Sequence, residues 1–545
     1  MQSARSKTLL ICVISVLCVI CGPDLNAQES QLGKVEFPTS GSEKAQAHFL
    51  RGVAALHSFW YEEALEAFRE STKVEPDFAM GYWGEAMAHN HPLWSEQDIT
   101  AARQVLTKLK ETPKLTDRER GYIAAVRALY GEGDKRARDA AYSAAMEKLY
   151  RAYPDDLEAA SFYSLSLLGM IRGEDKSYRL QAKAGAIALD VYEKNPNHPG
   201  AAHYILHAYD HGSLAGKALP AARAYAKIAP AASHALHMPA HAFLQVGFWD
   251  DAAASDEASW NASIAWAKRR GLSIASRDYH SLAWLQYEWT QQGRFSKTKE
   301  AIALVNEAMK ASSPQDLKPS SPLHSGGHGY GEQSEIGRGS GEAALRNDRG
   351  SMRARYIVES ERWAEMKGQT TFDNIEELFA LGLSAVHLRD AARVRAVIGE
   401  FRNAAAPGQA AELREQAEIM LREMEALNVF ASGQHQAAFA ILDQAATLQG
   451  RMPKPIGRPF PVMDVNELYG DLLLQVGRAK EAVGRFDRVL ARTPNRSRAL
   501  LGLARAYRNS GDATDARAAY KRFLTNYRLA DPGLPEVAEA RDAIR

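Results

Sequence analysis

The segment GRAKEAVGRFDRVLARTP (477–494) is followed by GDATDARAAYKRFL (511–524), and the second segment repeats the pattern of the first. A glycine, an alanine and an aromatic residue recur 34 positions apart, in the pairs Gly477 and Gly511, Ala482 and Ala516, and Phe486 and Tyr520. A period of 34 residues is typical of helix–turn–helix units that stack in a row, with small residues where the two helices touch. The spacing therefore predicts paired, stacked helices at this end of the chain.

The same pattern returns near the other end of the chain. Ala64, Phe68 and Pro76 keep the spacings of four and twelve residues that the C-terminal copy shows. Weaker copies surround three further glycines, Gly247, Gly293 and Gly433. The copies resemble the tetratricopeptide repeat, and no segment shows the alternation typical of strands. The resemblance implies an all-α fold, a tetratricopeptide-like α-solenoid built as a superhelix of helix–turn–helix repeats.

Longer stretches resemble a family of bacterial exported tetratricopeptide-repeat proteins. The stretches are AMGYWGEAMAHNHPLW (79–94), HPGAAHYILHAYDH (198–211), IAPAASHALHMPAHAF (228–243) and MDVNELYGDLLLQVGR (463–478). The resemblance covers most of the chain and implies the repeat fold and export. It does not supply a reaction.

The first 27 residues have the pattern of a secretory signal peptide. A basic start precedes an apolar run at Thr8–Cys21, and Ala27 is a small residue where a peptidase can cut. All three cysteines lie inside this segment, so the mature chain needs no disulfide and has no thiolate for a metal. We therefore expect a periplasmic or secreted protein without a stable membrane span after cleavage. A retained N-terminal anchor is the alternative.

The composition is that of a soluble globular protein. Hydrophobic residues make up 46% of the 545 positions and charged residues 24%, with a formal net charge of +1. Because the whole chain has no strong positive field, nucleic acid is not expected as the partner.

The chain divides into six predicted regions. They are a signal peptide at 1–27, a linker at 28–42, an N-terminal repeat array with a histidine cluster at 43–310, a loop at 311–350, degenerate helical repeats at 351–445, and a C-terminal repeat module at 446–545. The loop is predicted from 8 glycines, 7 serines and 3 prolines among its 40 residues, a composition that disfavours helix.

Seven of the chain's sixteen histidines lie between His198 and His241. On the repeat frame, His203 is equivalent to His237 and His207 to His241, each 34 positions on. Two residues four apart lie on one face of a helix. Because the first helices of neighbouring tetratricopeptide repeats pack side by side along the inner groove, we expect these four imidazoles to converge on one site.

Four converging imidazoles are typical ligands of a divalent transition metal, with zinc or copper the best matches. Asp210 is a possible replacement for one imidazole. The secondary ligand candidates are Asp210, His211, His234, His57, His89 and His91, and His280 opens a later first helix. The alternative is a polar groove that holds no metal. His198 precedes a proline and is interpreted as a turn residue.

Met238-Pro239 interrupts the second histidine pair. A proline inside a helix removes a hydrogen bond and disfavours helical geometry in the residue before it. We therefore predict that this helix begins at Pro239, with a kinked helix as the alternative.

Two functions remain open from the sequence. The first is an exported scaffold that binds a protein or peptide in its concave groove, supported by twelve Lys/Arg against four Asp/Glu between Arg478 and Arg522. The alternative is a metal-dependent enzyme, either a hydrolase or an oxidoreductase, or a metal carrier that uses the histidine cluster. The sequence contains no standard catalytic motif such as HExxH, GxSxG or a Walker loop.

Overall fold

The computed structural model describes residues 31–171, 177–311 and 341–545. Within these ranges the chain forms twenty-four α-helices, and the strand content is one short hairpin. The predicted all-α fold is therefore confirmed. The predicted signal peptide lies outside the described residues.

The helices are numbered in chain order. Helices α1 to α8 are Glu43–His57, Tyr61–Val74, Ala79–Met87, Ile99–Leu106, Asp117–Leu129, Lys135–Ala152, Leu157–Gly169 and Arg179–Lys194. Helices α9 to α16 are Pro199–Ala208, Ala215–Ile228, Ser233–Val246, Trp249–Arg269, Tyr279–Gln291, Phe295–Ala311, Gly341–Ser360 and Ile375–His387. Helices α17 to α24 are Ala391–Ala404, Ala411–Ala431, His435–Arg451, Val465–Gln475, Ala479–Arg492, Ser497–Ser510, Ala513–Asn526 and Pro535–Ile544. The hairpin pairs β1, Asn90–His91, with β2, Glu96–Gln97, and short 3-10 turns lie at Pro92–Trp94, Ile274–Ser276, Trp363–Met366 and Tyr527–Leu529.

The repeat glycines mark the turns between paired helices. The five glycines of the repeat pattern have φ angles between 68° and 90°: Gly247, Gly293, Gly433, Gly477 and Gly511. This left-handed backbone is accessible to glycine without strain. The 34-residue spacing therefore fixes where one helix ends and the next begins.

Small residues also let neighbouring repeats approach closely. A Cβ atom on Gly470 or Gly502 would lie 2.7 Å or 2.3 Å from the ring of Phe486. Phe486 is fully buried between these two first helices, as Phe68 is between Gly52 and Gly84. Both ends of the chain thus use the same packing of an aromatic side chain against glycine.

The array curls so that distant repeats meet. Helix α9 packs against both α7 and α11, and it also contacts α1. The segment 31–42, which belongs to the predicted linker, packs along this contact with Leu32 and Phe37 buried. The backbone N–H of Lys34 donates to the carbonyl of Asn197 at 2.9 Å. The segment therefore fastens the N-terminal repeats to the histidine-bearing ones.

The C-terminal repeats return to the middle of the chain. Trp249 donates from its indole nitrogen to the carbonyl of Asn495, and the side chain of Asn495 donates to the carbonyl of Gly247. One hydrophobic core runs from Leu32 to Ala252 and a second from Ala253 to Ala540. The boundary between the cores thus falls inside the predicted array 43–310, and the regions 351–445 and 446–545 share the second core.

Part of the region predicted as a loop at 311–350 is helical. Residues 312–340 lie outside the described residues, but helix α15 already begins at Gly341. The stretch EAALR (342–346) consists of strong helix formers, and Leu345 is buried in the second core. The glycines and serines that suggested a loop are concentrated before this stretch.

The search for a bilayer-spanning segment gave no candidate: among the helices of the described ranges, none combines the necessary length with sufficient hydropathy.

Candidate metal centre

Two pairs of histidines occupy equivalent places on two neighbouring helices. His203 and His207 are the fifth and ninth residues of α9, and His237 and His241 are the fifth and ninth residues of α11. All four side chains are buried, with at most 3% of their surface exposed. The repeat frame read from the sequence therefore places each pair on the inner side of its helix.

Each pair has a third histidine from the start of the next first helix. His234 is the second residue of α11 and joins His203 and His207, whereas His280 is the second residue of α13 and joins His237 and His241. In each set one ligand atom per ring lies within 4.8 Å of the others. We call His203, His207 and His234 the first group and His237, His241 and His280 the second group.

The first group directs its Nε2 atoms at one another. His203 Nε2 lies 3.0 Å from His207 Nε2 and 3.0 Å from His234 Nε2. The other ring nitrogen of His203, Nδ1, lies 2.7 Å from the carbonyl oxygen of His57. Because a carbonyl only accepts, Nδ1 of His203 carries the proton and Nε2 presents its lone pair.

In the second group, carboxylates take the place of the backbone carbonyl as the partners of Nδ1. His237 Nδ1 lies 2.5 Å from Asp256 Oδ1, and His241 Nδ1 lies 2.5 Å from Asp210 Oδ2. The Nε2 atoms of the two histidines are 3.0 Å apart. Metal-binding histidines commonly donate their second N–H to a carboxylate or a backbone carbonyl, which fixes the tautomer and the ring orientation. Both groups have this feature.

In the second group the Nδ1 atoms of both rings face carboxylates, so two Nε2 lone pairs face each other at 3.0 Å and repel unless a proton or a cation lies between them. In the first group, Nε2 of His203 can accept a hydrogen bond from Nε2 of His207 or of His234 when no metal is bound. Zn–N bonds of 2.0–2.1 Å in a tetrahedral site separate the ligand nitrogens by about 3.3 Å. The observed separations of 3.0 Å are close to this value, and within each group the three ligand atoms lie within 4.8 Å of one another. Each group can coordinate one divalent ion through three neutral imidazoles.

Burial keeps these imidazoles neutral. Desolvation lowers the pKa of His203 to about 3 and holds the pKa of His241 well below its ordinary value. The pKa of His237 is lowered for the same reason. Because a metal binds only the neutral ring, no proton competes for these nitrogens at neutral pH.

An aromatic side chain covers each group. The Phe59 ring centroid lies 4.3 Å from that of His203, 5.7 Å from that of His207 and 5.6 Å from that of His234. Phe59 has a φ of 54°, a left-handed conformation that costs a bulky residue about 1–2 kcal/mol. Trp284 covers the second group, with its ring 4.3 Å from that of His241 and 5.0 Å from that of His237.

One cleft gives access to both groups. It encloses about 870 Å³ of atom-free space, including its open mouth. His234 of the first group and His237 and His280 of the second line it. The rings of His234 and His237 are 6.3 Å apart between centroids. The two groups are therefore neighbours that face the same solvent-filled space.

The structure differs from the prediction of a single four-histidine site. His203 and His207 are completed by His234, and His237 and His241 are completed by His280, so the four predicted ligands divide between two groups. The reason is the helix spacing. Each pair lies beside the first turn of the next first helix, α11 or α13, which carries the third histidine.

The secondary candidates fall into different roles. Asp210, predicted as a possible ligand, instead accepts the Nδ1 proton of His241. His211 stacks on Tyr178 at 4.1 Å, and His91 lies on Tyr61 at 4.1 Å. Within the described residues, His211, His89 and His91 belong to none of the three-residue groups with metal-ligand spacing.

His57 forms part of a separate buried network with Glu158 and His198. The Glu158 carboxylate accepts from Nε2 of His57 at 2.7 Å and from Nε2 of His198 at 3.1 Å. Nδ1 of His57 accepts from the Tyr204 hydroxyl, and Nδ1 of His198 accepts from the backbone N–H of Ala201. His57, Glu158 and His198 also have metal-ligand spacing. Since every ring nitrogen of this set is engaged by a carboxylate, a hydroxyl or a backbone N–H, we interpret it as a structural hydrogen-bond network. His198, predicted as a turn residue, is the N-cap of α9.

The prediction that a helix begins at Pro239 is wrong. Helix α11 begins at Ser233 and carries Pro239 in its interior. Serine hydroxyls of α12 donate to carbonyls in the first half of α11: Ser255 to Leu236 at 2.5 Å and Ser259 to Ser233 at 2.8 Å. These bonds tie α11 to α12 on both sides of the Ala235 carbonyl, which loses its helical donor because Pro239 has no N–H.

Sequence reasoning missed the carboxylates beneath the second group. Asp256 lies on the second helix of its repeat, and Glu288 lies on α13. Both are fully buried, and burial raises the pKa of each well above its ordinary value. The sequence signal was weak, because both residues are acidic positions in otherwise ordinary helices.

One family profile matches part of the chain. Residues 470–531 match the profile of the family described as Tetratricopeptide repeat. No curated protein sequence matches the chain. Among solved structures, the human IFIT1 dimer with m7Gppp-AAAA is 13% identical over 93% of this chain and 94% of that chain, with a TM-score of 0.31. Yeast Tom70 is 13% identical over 92% of this chain and 89% of that chain, with a TM-score of 0.29.

At TM-scores this low, neither likeness carries an argument about what this chain binds. The matched family segment contains the repeat glycines Gly477 and Gly511 and the aromatic residues Phe486 and Tyr520. The chain is an all-α helical protein whose residues 470–531 are similar to the tetratricopeptide repeat.

Proposed function

We propose that this protein binds two divalent transition metal ions, zinc or copper, one in each trihistidine group. The observation that carries the proposal is the orientation of the rings. In both groups an Nδ1 is held by a fixed acceptor, while Nε2 atoms 3.0 Å apart face one another. The neutral, cysteine-free donor set suits zinc or copper(II).

The number of ligands favours metal chemistry over storage. Closed structural zinc sites usually have four protein ligands, whereas catalytic sites keep three and leave one position for water or substrate. Among the residues that the structure describes, each group has three imidazoles, beside an open cleft. A metal-dependent hydrolase, an oxidoreductase or a carrier that exchanges its ion is therefore a better match than a storage protein. Localisation in the periplasm or outside the cell remains part of the proposal, supported by the signal-like segment at 1–27.

Elemental analysis of tag-free protein tests the proposal. We expect two equivalents of metal in the parent, one in His203→Ala, one in His241→Ala, and none in the double variant. His435→Ala, which removes an exposed histidine of α19, is the matched control and should retain two. Metal-free parent protein after zinc or copper loading and gel filtration, or equal metal content in all variants, would refute the proposal.

Binding of a protein or peptide in the concave groove is the second candidate function. The tetratricopeptide segment at 470–531 supports it. The local positive charge supports it less than expected, because several arginines of this segment already pair with acidic residues: Arg485 with Asp443, Arg496 with Glu359 and Glu467, Arg498 with Glu361, and Arg505 with Glu539.

A pair of synthetic acidic peptides tests the second function on the full-length protein. One peptide ends in a free carboxylate and the other in an amide. We expect the free carboxylate to bind more tightly at low salt, because the segment also carries exposed arginines, Arg488 and Arg517, that can attract a carboxylate. Equal or absent binding of the two peptides would exclude this mode of recognition.

A further inference from the structure

A small cavity lies between the end of helix α11 and the C-terminal repeats. It encloses about 270 Å³ of atom-free space, including its open mouth. Its wall is formed by Leu244 and Gln245 of α11, by residues of the segment 454–459 that precedes α20, and by residues 492–494 at the end of α21. Pockets for drug-sized ligands enclose about 300–1,000 Å³, so this space suits a small ion.

Two cationic side chains line this cavity, Lys454 and Arg492, and both are partly buried. The Arg492 guanidinium donates from Nη2 to the carbonyl of Pro453 at 3.3 Å, which uses one of its five N–H groups. Within the described ranges, neither cation forms an ion pair with a carboxylate. They differ in this from Arg485 and Arg496 of the same region, each of which pairs with an acidic residue.

The acidic groups that influence these two cations are already hydrogen-bonded. Asp210 accepts from Nδ1 of His241, and Asp464 accepts from a glutamine of α19 at 2.8 Å. Burial and the charge of Arg492 lower the pKa of Lys454 to about 8, although the charge of Asp210 acts in the opposite direction. Burial likewise lowers the pKa of Arg492. The surroundings therefore compensate the two positive charges poorly.

A doubly charged anion would supply the missing compensation. Partly buried charges without a counter-ion are costly, and a monocarboxylate neutralises only one of the two. Thr493 lines the same cavity and adds a hydroxyl donor. We propose that this cavity binds a small doubly charged oxyanion, such as sulfate or inorganic phosphate, between Lys454, Arg492 and Thr493. The site is separate from the trihistidine groups and does not require a metal.

Calorimetric titration of the full-length protein with sodium sulfate tests the inference, with sodium acetate at equal ionic strength as the comparison. We expect one sulfate per chain and no binding of acetate. Lys454→Met and Arg492→Met should each weaken sulfate binding at least about tenfold, because a charge-assisted hydrogen bond is lost. Arg488→Met removes an exposed arginine of the same helix, outside the cavity, and should leave sulfate binding unchanged.

The pH dependence identifies the lysine, because sulfate remains a dianion at every pH used. With a pKa of about 8, the Lys454 amine is charged at pH 7 and mostly neutral at pH 9, so sulfate affinity should fall about tenfold between these values. Lys454→Arg should bind sulfate equally well at both, since arginine stays protonated.

A double histidine variant separates this site from the metal groups. His203→Ala/His241→Ala should bind sulfate as the parent does, whether or not the parent contains metal. Four results would overturn the inference: no sulfate binding by the parent, equal binding of acetate, unchanged binding in both Met variants, or loss of sulfate binding in the double histidine variant.

Discussion

The two groups differ in the acceptor that faces Nδ1 of their histidines. A backbone carbonyl accepts from His203, whereas carboxylates accept from His237 and His241. An ionised carboxylate makes an imidazole a stronger donor to a metal than a neutral carbonyl does. Burial raises the pKa of Asp210 to about 7 and that of Asp256 well above its ordinary value, and a bound divalent cation favours the ionised form of both. The second group should therefore hold its ion more tightly than the first.

Replacing Asp210 by alanine tests this contribution. We expect zinc affinity of the second group to fall about 10- to 100-fold, the usual cost of losing such a partner. Competition with a chromophoric chelator resolves the two sites. Asp210→Asn, which keeps an acceptor oxygen for Nδ1 of His241, should lose less. An equal loss of affinity at both groups would contradict the assignment of Asp210 to the second group.

The buried Glu158 has a structural role that pH should reveal. Burial alone would raise the pKa of Glu158, but the His198 and His57 rings outweigh burial and hold it below its ordinary value. A carboxyl with a depressed pKa stabilises the fold fully above its unfolded pKa of about 4.3, and this contribution is lost as pH falls toward the folded pKa. Glu158→Gln should lower the free energy of unfolding by about 3 kcal/mol at pH 7, because an amide N–H₂ replaces one acceptor.

Chemical denaturation of the parent and Glu158→Gln at several pH values measures this. The difference between them should be constant above about pH 5 and should shrink below about pH 4. Metal content of the variant at pH 7 serves as the control, since His57 reaches the first group only through its backbone carbonyl. A difference that grows as the pH falls would show that the sign of the pKa shift is wrong.

The ligand pairs could be predicted from the sequence, but the third ligands could not be placed. Helical periodicity and the 34-residue frame determine where His203 and His237 lie, since both are the fifth residues of first helices. The third ligand depends on where the next first helix begins. That start is displaced at His280, because helix α12 has 21 residues where α10 has 14. The spacing within one helix therefore determines where the two histidines of a pair lie. The length of the helix between successive first helices determines where the third histidine lies.

Helix α11 supplies ligands to both groups. His234 belongs to the first group, and His237 and His241 belong to the second, with Pro239 between the latter two. Successive helical residues are rotated by about 100° around the helix axis. The orientation of α11 about its axis therefore sets the direction of its histidines in both groups. The proline disturbs the helix within the span that joins the two second-group ligands. It therefore adjusts the relative direction of their rings.

Pro239→Ala should restore regular helix and misalign the second group. We expect zinc affinity of the second group to fall at least about tenfold, while helical content stays constant or rises. Pro220→Ala is the matched control, because Pro220 also lies inside a helix, α10, which carries no ligand. Circular dichroism and the two-site zinc titration measure both effects. Unchanged affinity in Pro239→Ala would show that the proline has no part in aiming the rings.

At the scale of the whole molecule, the second group lies where the two cores meet. Trp284 covers the group and belongs to a small separate cluster with Leu244, Trp249 and Tyr287. Trp249 and Tyr287 also contact the returning C-terminal repeats, through Asn495 and Arg496. The packing behind the second group thus depends on a contact between residues more than 200 positions apart. The first group depends instead on contacts inside the first core.

Arg496 is the centre of this long-range contact. Its guanidinium is fully buried and lies 2.6 Å from Glu467, 2.9 Å from Glu359 and 3.3 Å from the Tyr287 hydroxyl. Removing one partner of a buried ionic set leaves charges without compensation and costs about 3–5 kcal/mol. Arg496→Ala should therefore destabilise the second core and release the C-terminal repeats from Tyr287.

Arg496→Ala should weaken metal binding at the second group more than at the first. In Arg496→Ala the second group should lose zinc at a lower denaturant concentration than the first, because only the second is backed by this junction. Zinc release monitored during denaturation, together with limited proteolysis around residues 452–464, measures the order of events. Arg528→Ala, which breaks an exposed pair with Asp250 near the same junction, should change neither, since exposed pairs contribute at most about 1 kcal/mol. Simultaneous release of both ions in Arg496→Ala would indicate that the two cores unfold as one unit and that the junction does not support the second group separately.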